Sequence, residues 1–462
     1  MAASESENKN KSNGKTVIAG ATALATLETG SGYLEDGYLV IEGETIREIG
    51  TGEPPSDSYD TVIDARGKLV TPGFINTHHH LYQTLTRAYP AAMDVGLFDW
   101  LETLYPLWAN LDEEAVYLST MMGMAELLLS GCTTTTDHHY VFPRDLDVID
   151  AQIEAATEIG MRFQPCRGSM CLSQKDGGLP PDSVVQDGDV ILKDSERVIV
   201  RYHDPAPNAR VRISLAPCSP FSVTPTLMRD TAALARRHGV RLHTHLAETL
   251  DEERFCEAQF NLRPLEYLES VDWLEDDVWI AHGIHFQGDE IARLGQVGIG
   301  VAHCPSSNMR LGSGIAPVLK LRAAGVPVGL AVDGSASNDS SNYLLELRMA
   351  LYLHRTVDGP AALRVTDVLE MATRESARCL GWEEIGALRE GWVADIALFD
   401  LEHLHYSGAH NPLGALVMCA PTTVDTLLVG GKAIVKGGEL QTVDVDKLTA
   451  RHRDKAREIV TG

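Results

Sequence analysis

The chain has 462 residues, 44% of them apolar and 23% charged, as in a soluble globular protein with one large core and a satellite domain. Its formal net charge of −26 disfavours nucleic acid and anionic membranes as partners, and no apolar run approaches the roughly 18 residues that span a bilayer. The eight cysteines form no Cys-x-x-Cys pair, which favours reduced thiols and a cytoplasmic location.

The two ends of the chain share a strand-rich pattern. Residues 1–14 are polar and predict a disordered tail without the apolar segment of a secretory signal. Residues 15–70 alternate short β-like runs with turns, and the same pattern returns at 387–442. We therefore predict one small β-sandwich that is built from both chain ends. Residues 443–462 predict a charged amphipathic helix that packs on the rest of the protein.

The middle of the chain, residues 71–386, alternates apolar strands with amphipathic helices such as 113–129 and 228–238. About eight such units indicate a (β/α)8 barrel, so the predicted class is α/β with a TIM barrel and a composite β-sandwich. The strand-like runs begin at Gly73, Thr133, Arg162, Val211, Arg241, Val278, Gly300 and Val328.

The first barrel strand leads into three consecutive histidines. Residues two apart on a strand point to the same face, so His78 and His80 can bind one metal ion while His79 points away. A pair of this kind at the mouth of a barrel is half of a metal site. Taken alone, the triplet also fits a polar loop or a simple histidine run.

Further polar residues follow strands five, six and eight, where barrel active sites are built. His245 and Glu248 follow strand five, His282 ends strand six, and Asp333 ends strand eight. A single barrel histidine is more often structural, but the set suits a catalytic metal site with one position open for water. Glu248 is suited to carry a proton to the leaving group, and His282 to stabilise developing charge.

Pro72-Gly-x-x-Asn-x-His-x-His80 and His245-x-x-Glu248 resemble motifs of the amidohydrolase superfamily, specifically its mononuclear aminohydrolases. No lysine follows strand four, which argues against a two-metal site. The resemblance implies one divalent ion, zinc or alternatively ferrous iron, and a hydrolase acting on C–N bonds of cyclic amidines. It also implies a homo-oligomer. The implied metal ligands are His78, His80, His245 and Asp333, and the implied catalytic residues are Glu248, His282 and Asp333.

Within this superfamily, residues 79–90, 130–140, 175–186, 303–309 and 333–339 are most similar to 8-oxoguanine deaminases. The resemblance implies conversion of 8-oxoguanine to urate and ammonia. The alternatives are a hydroxyatrazine-type triazine aminohydrolase and a deaminase of guanine or another related purine. From a different class, a noncatalytic barrel is also conceivable, but such a protein would be expected to lack ligands.

A flat polar heterocycle needs in-plane hydrogen-bonding groups and a stacking surface. Gln83, three residues after the metal pair, is a candidate for the ring edge, and Arg167 at the end of strand three is a candidate for a carbonyl oxygen. Tyr140 and Trp100 are candidates for stacking, although loop aromatics more often only pack the domain.

Overall fold

The computed structural model describes residues 14–28, 32–143 and 148–462. Its strands form an eight-stranded, a four-stranded and a six-stranded sheet. The predicted α/β class, a TIM barrel with a small sandwich made from both chain ends, is confirmed. The domain boundaries stay predictions, and the predicted tail at 1–14 lies outside the described residues except for Gly14.

The elements follow the predicted order along the chain. The strands are β1 (Lys15–Ala21), β2 (Ala23–Leu24), β3 (Gly37–Glu42), β4 (Thr45–Thr51), β5 (Thr61–Asp64), β6 (Lys68–Pro72), β7 (Phe74–Asn76), β8 (Cys132–His139), β9 (Arg162–Ser169), β10 (Ser214–Pro217), β11 (Arg241–Leu246), β12 (Val278–His282), β13 (Gly300–His303), β14 (Val328–Leu330), β15 (Ile396–Asp400), β16 (Thr426–Val429), β17 (Lys432–Lys436) and β18 (Glu439–Leu440).

The α-helices alternate with the barrel strands and continue beyond them. They are α1 (Leu97–Trp108), α2 (Glu113–Leu129), α3 (Val148–Ile159), α4 (Gly188–Tyr202), α5 (Pro225–His238), α6 (Leu250–Phe260), α7 (Pro264–Ser270), α8 (Gly288–Val297), α9 (Pro305–Arg310), α10 (Val318–Ala323), α11 (Tyr343–Asp358), α12 (Val365–Glu370), α13 (Ser376–Leu380), α14 (Pro412–Met418) and α15 (Val445–Thr461). None of these described helices is both long and apolar enough to cross a membrane.

Strands β7 to β14 form the barrel in sequence order, and each pairs in parallel with the next. Between β14 and β7, the Thr77 N–H donates to the Leu330 carbonyl at 3.3 Å. All eight predicted runs contain a strand, but the eighth ends at Leu330 rather than at Asp333. Asp333 therefore lies on the loop beyond β14, where its N–H donates to the His78 carbonyl at 3.2 Å.

Helix α2 matches its predicted bounds and shows how the barrel helices are fixed locally. Asp112 caps its first turn, because its carboxylate accepts a hydrogen bond from the Ala115 N–H at 2.7 Å. Glu113 and Glu114 in the first turn complement the positive end of the helix dipole. The helix packs against α3 and α15 on the outside of the barrel.

The sandwich joins the chain ends. One sheet contains β4, β3, β1 and β5, and the other contains β2 and β6 together with β15 to β18. Strand β6 pairs antiparallel with β15, from Lys68 opposite Asp400 to Pro72 opposite Ile396. Apolar side chains of both ends, including Ile18, Leu39 and Ile396, are fully buried in one shared cluster. Because β6 runs directly into β7, the sandwich anchors the strand that carries the histidine triplet.

Candidate active site

Four potential ligand atoms converge at the carboxyl end of the barrel. Nε2 of His80 lies 3.2 Å from Nε2 of His245, and Oδ1 of Asp333 lies 3.3 Å from Nε2 of His78 and 3.4 Å from Nε2 of His80. In a tetrahedral site with bonds of about 2.0–2.1 Å, neighbouring ligand atoms are about 3.3–3.4 Å apart. Nε2 of His78 is buried and has no hydrogen-bond partner within the described part of the chain. The four residues therefore fit one divalent ion.

Hydrogen bonds on the opposite ring nitrogens orient these imidazoles. Nδ1 of His80 lies 2.7 Å from the His138 carbonyl oxygen, and Nδ1 of His245 lies 2.7 Å from that of Cys218. A carbonyl only accepts, so both Nδ1 atoms carry the proton and both Nε2 lone pairs face the centre. Burial lowers the pKa of His80 and that of His245, which favours the neutral imidazole that binds metal.

His78 is oriented by a second histidine. Nδ1 of His243 donates to the Trp279 carbonyl at 2.8 Å, so Nε2 of His243 accepts from Nδ1 of His78 at 2.8 Å. The ring of His243 also stacks on the Trp279 side chain at 4.3 Å. His78, His243 and His138 form another close group, but the hydrogen bond between the first two explains that contact. His243 is thus a support for His78.

Asp333 is held in an unusual backbone conformation. Its φ is 63°, in the left-handed region, and its Oδ1 accepts the N–H of Gly334 at 2.7 Å. Burial by itself raises the pKa of Asp333, but the nearby imidazoles of His78, His282 and His80 hold the pKa well below its usual range. The carboxylate is therefore ionised. His282 also has a positive φ, of 71°. Such conformations are concentrated at functional sites.

Glu248 and His282 lie together beside Asp333. Oε2 of Glu248 is 3.5 Å from Nε2 of His282, which in turn is 3.9 Å from Oδ2 of Asp333. Burial raises the pKa of Glu248 to about 7, so this carboxyl group can exchange a proton near neutral pH. Burial opposes protonation of His282, but the charges of Glu248 and Asp333 outweigh it and raise the pKa of His282.

Two further supports of this group were not predicted. Nδ1 of His282 lies 2.9 Å from Oδ1 of Asn308, which fixes the ring. The Glu252 carboxylate accepts the N–H groups of Ala247 and Glu248 at 2.8 and 3.1 Å, which fixes the turn after β11. Of the supporting residues His243, Asn308 and Glu252, only His243 could have been predicted from the sequence. It lies two residues before His245 on the same strand and so shares its face.

A cavity opens onto these residues. Its walls combine apolar side chains with the polar side chains of Gln83, Tyr140 and Ser337. This mixture of walls suits a flat heterocycle with polar edges. The lining residues are His80, Gln83, Leu97, Trp100, Leu101, Tyr140, Cys218, Phe221, His245, Glu248, His282, Leu311, Asp333 and Ser337.

Three of the four predicted substrate-contact residues line this cavity. Oε1 of Gln83 accepts the Ala336 N–H at 3.4 Å, while its Nε2 is buried without a partner among the residues described. The indole N–H of Trp100 donates to the Ala336 carbonyl at 3.0 Å, which fixes the ring. The ring of Tyr140 stands nearly perpendicular to that of His80 at 5.1 Å. Gln83 thus brings an amide donor to the cavity.

Arg167 is the exception, and its contact with substrate stays a prediction that the structure does not favour. It is not among the described residues that line the cavity. Its Nε pairs with Asp194 at 2.9 Å, and its guanidinium also donates to Gln186 at 2.8 Å. The guanidinium lies 3.9 Å above the ring of Phe142. These contacts join the end of β9 to α4 and to Gln186, so Arg167 stabilises this part of the barrel.

The profile of the amidohydrolase family matches residues 69–434. The chain belongs to the amidohydrolase family. This amidohydrolase is 53% identical to 8-oxoguanine deaminase of Pseudomonas aeruginosa, over 94% of this chain and 97% of that protein. It is 37% identical to hydroxydechloroatrazine ethylaminohydrolase of Pseudomonas sp. strain ADP, over 96% of this chain and 94% of that protein.

The same fold is seen in a solved amidohydrolase relative. The crystal structure of atrazine chlorohydrolase from Arthrobacter aurescens, complexed with zinc, superimposes with a TM-score of 0.92 at 34% identity. The match covers 96% of this chain and 100% of that one. Family membership confirms the predicted resemblance and makes this amidohydrolase a hydrolase. A divalent metal agrees with the family and with the clustered imidazoles and carboxylate.

Proposed function

We propose that this amidohydrolase converts 8-oxoguanine and water to urate and ammonia with one zinc ion. The observation that carries the proposal is the convergence of four ligand atoms, 3.2–3.4 Å apart where adjacent, in the wall of the cavity. The high identity to a named 8-oxoguanine deaminase, over nearly the whole of both chains, supports this substrate. The proposed ligands are His78, His80, His245 and Asp333.

The donor set determines which ion is suitable. Three imidazoles and one carboxylate accept either zinc or ferrous iron, and zinc is proposed because the solved relative contains it. When bound, the ion would polarise a water molecule so that it is an effective nucleophile at neutral pH. The remaining chemistry is proton transfer, and the residues beside the ligands are suited to it.

The proposed proton path uses two carboxyl groups of different character. Asp333 is held ionised by its histidine neighbours and accepts a proton from the attacking water. Glu248, whose pKa is about 7, delivers its proton to a ring nitrogen, and Asp333 passes the proton that it took from the water to the departing amine. Glu248 regains a proton from the added hydroxyl group as the carbonyl forms. The C–N bond breaks, ammonia leaves, and a carbonyl group remains on the ring. His282 is placed to stabilise charge between these two carboxyl groups.

Recognition of the ring is proposed to use the cavity walls. The unpaired Nε2 of Gln83 can donate to an acceptor on the ring edge. Trp100 and Tyr140 supply aromatic faces on the walls around it. Buried polar groups that match one ring edge discriminate strongly against rings that lack the matching atoms.

The test compares substrates on zinc-loaded enzyme. We expect 8-oxoguanine to release ammonia, and the change in ultraviolet absorbance measures this reaction. Its kcat/KM should be higher than that for guanine or hydroxyatrazine. The second candidate is a hydroxyatrazine-type aminohydrolase, which the 37% identity to such an enzyme favours. Release of an alkylamine from hydroxyatrazine with no turnover of 8-oxoguanine would establish that alternative.

The proposal includes a cytoplasmic location and a homo-oligomeric state. All eight cysteines are free, as suits a reducing compartment. The oligomeric state follows from the family resemblance, and light scattering on the purified protein measures it directly.

A further inference from the structure

Helix α15 lies outside the barrel, yet it packs on elements that form the cavity wall. It contacts α2, the end of α1 and the 3₁₀ turn Leu81–Thr86. That turn, named here the Gln83 turn, directly follows the proposed metal ligand His80. Helix α1 carries Trp100, which also lines the cavity. The C-terminal helix is therefore adjacent to the supports of two cavity residues.

One buried hydrogen bond joins α15 to the Gln83 turn. Oγ1 of Thr84 lies 2.9 Å from Nε2 of His452, and the two residues are only 3% and 8% exposed. Thr84 is the chain neighbour of Gln83, so a shift of its side chain moves the Gln83 backbone. A buried hydrogen bond of this kind is costly to break, because the remaining partner is left unsatisfied.

A second contact joins α15 to the end of α1. Nδ2 of Asn110 donates to the Ile459 carbonyl at 3.1 Å. Two residues before Asn110, the indole N–H of Trp108 donates to Oγ1 of Thr86, at the end of the Gln83 turn, at 3.2 Å. The Trp108 ring also contacts the Trp100 ring, with centroids 5.4 Å apart. The turn and α1 thus form one packed unit beneath α15.

An ion cluster fixes the position of α15 itself. The ammonium group of Lys455 lies 3.2 Å from Asp112, 3.3 Å from Glu114 and 3.0 Å from Glu458. The Lys455 side chain is 8% exposed, but its partner carboxylates are 41%, 53% and 64% exposed, so solvent screens these pairs. Asp112 is also the N-cap of α2, and the cluster therefore joins α15 to the first turn of that barrel helix.

We propose that α15 is a positioning element for substrate binding. Through Thr84 and His452 it holds the Gln83 turn so that the Gln83 amide stays in the cavity wall. Gln83 and Trp100 already meet at one residue, Ala336, whose N–H donates to Gln83 and whose carbonyl accepts from Trp100. A displaced turn would break this shared geometry. The choice of substrate in the assay rests on the proposed function.

The expected effect is on binding rather than on chemistry. His452 does not contact His78, His245, Glu248 or Asp333 in any described hydrogen bond or ion pair. Thr84→Val removes the hydroxyl group at nearly constant volume and should raise KM for 8-oxoguanine about three- to tenfold, as expected for a displaced binding group. We expect kcat and zinc content to stay within about twofold of wild type, because the metal ligands keep their own supports.

Three comparisons decide the assignment. Thr84→Ser retains the hydroxyl group and should restore the wild-type KM. Arg457→Ala, on the exposed face of the same helix, should leave KM unchanged. His452→Phe should also raise KM, and the double variant should be no worse than Thr84→Val, which already removes the bond to His452 together with the Thr84 hydrogen bond to the Ser119 carbonyl at 3.4 Å. An unchanged KM in both single variants, or a loss of zinc with KM unchanged, would overturn the proposal.

Different results test the proposed substrate and the proposed role of α15. If wild-type, zinc-loaded enzyme does not turn over 8-oxoguanine, the proposed substrate is wrong. The role of α15 is then decided by calorimetric titration of hydroxyatrazine into the same proteins. A raised Kd in Thr84→Val and His452→Phe, but not in Thr84→Ser, supports the positioning role, and an equal Kd in all four overturns it.

Discussion

The imidazole of His243 lies directly behind that of His78, with Nε2 of His243 2.8 Å from Nδ1 of His78. The relay ends at the Trp279 carbonyl, which fixes the proton on Nδ1 of His243. One neutral histidine thereby sets the tautomer of another and aims the lone pair of His78 at the proposed metal. Two histidines of strand β11 therefore have different roles. His245 is a proposed ligand, and His243 only supports one.

Replacing His243 should weaken metal binding without abolishing it. In His243→Phe the acceptor for His78 is lost, and we expect a metal affinity about 10–100-fold lower, as for other groups that orient a ligand. Competition with a chelator of known affinity measures the change. His238→Gln, at a half-buried position at the end of α5, is the control. An affinity equal to wild type would remove His243 from this role.

Variants of the adjacent residues His79 and His80 should differ in metal content. His80→Ala removes a proposed ligand, and we expect little metal by elemental analysis after purification. His79→Gln should retain stoichiometric metal, because Nε2 of His79 is engaged with Oγ of Ser341 at 2.9 Å, away from the centre. Equal metal contents in the two variants would contradict the ligand assignment.

Glu248→Gln should bind metal normally and lose most of its turnover. The amide cannot carry the proton, so we expect kcat to fall by about 10²–10⁴-fold. Glu252→Gln is an informative comparison, since Glu252 contacts the backbone of the same turn without facing the ligands. A near-normal kcat in Glu248→Gln would exclude it from proton transfer.

Gln83→Leu tests ring recognition. The change removes the amide donor in the cavity while leaving the metal ligands in place, and we expect KM for 8-oxoguanine to rise roughly tenfold, as for the loss of one buried hydrogen bond. Gln441→Leu, at an exposed site, controls for the substitution itself. If KM is unchanged while zinc content is normal, Gln83 does not contact the ring.

Acid should destabilise the fold partly through His452. Burial, with a smaller effect from Arg87, lowers the pKa of His452 from 6.5 to about 4. The unfolded chain binds this proton below pH 6.5 and the folded chain only near pH 4, so stability falls as the pH drops between these values. At pH 5 the loss from this group is about 2 kcal/mol.

His452→Gln should therefore lose less stability than wild type when the pH falls from 7 to 5. Urea unfolding at the two pH values measures the difference for each protein. An identical pH dependence in both proteins would show that His452 titrates normally in the folded state.

Much of the site was predictable because it follows backbone periodicity. The spacing of His78 and His80 already implied a shared face, and Glu248 lies on the loop after β11 as expected. Arg167 was not predictable in this way, because its direction is set by Asp194 on α4. The position of Asp333 beyond a short β14 likewise depends on how the barrel closes.

The supporting residues were harder to predict for the same reason. Asn308 acts on His282 from a different segment of the barrel, and no local pattern joins the two positions. His452 contacts Thr84 across nearly the whole sequence. Sequence periodicity reports which face a side chain occupies, whereas these contacts depend on which elements the completed barrel brings together.

The pairing of β6 with β15 also joins two strands that are synthesised at very different times. Lys68–Pro72 leaves the ribosome long before its partner Ile396–Asp400. At about 5–20 residues per second the delay is roughly 15–65 s, during which β6 can pair with β2 through Leu69 and Val70 but lacks its other neighbour, β15. The sheet around the strand that leads into the histidine triplet is therefore completed late in translation. We expect the nascent chain at this stage to bind chaperones.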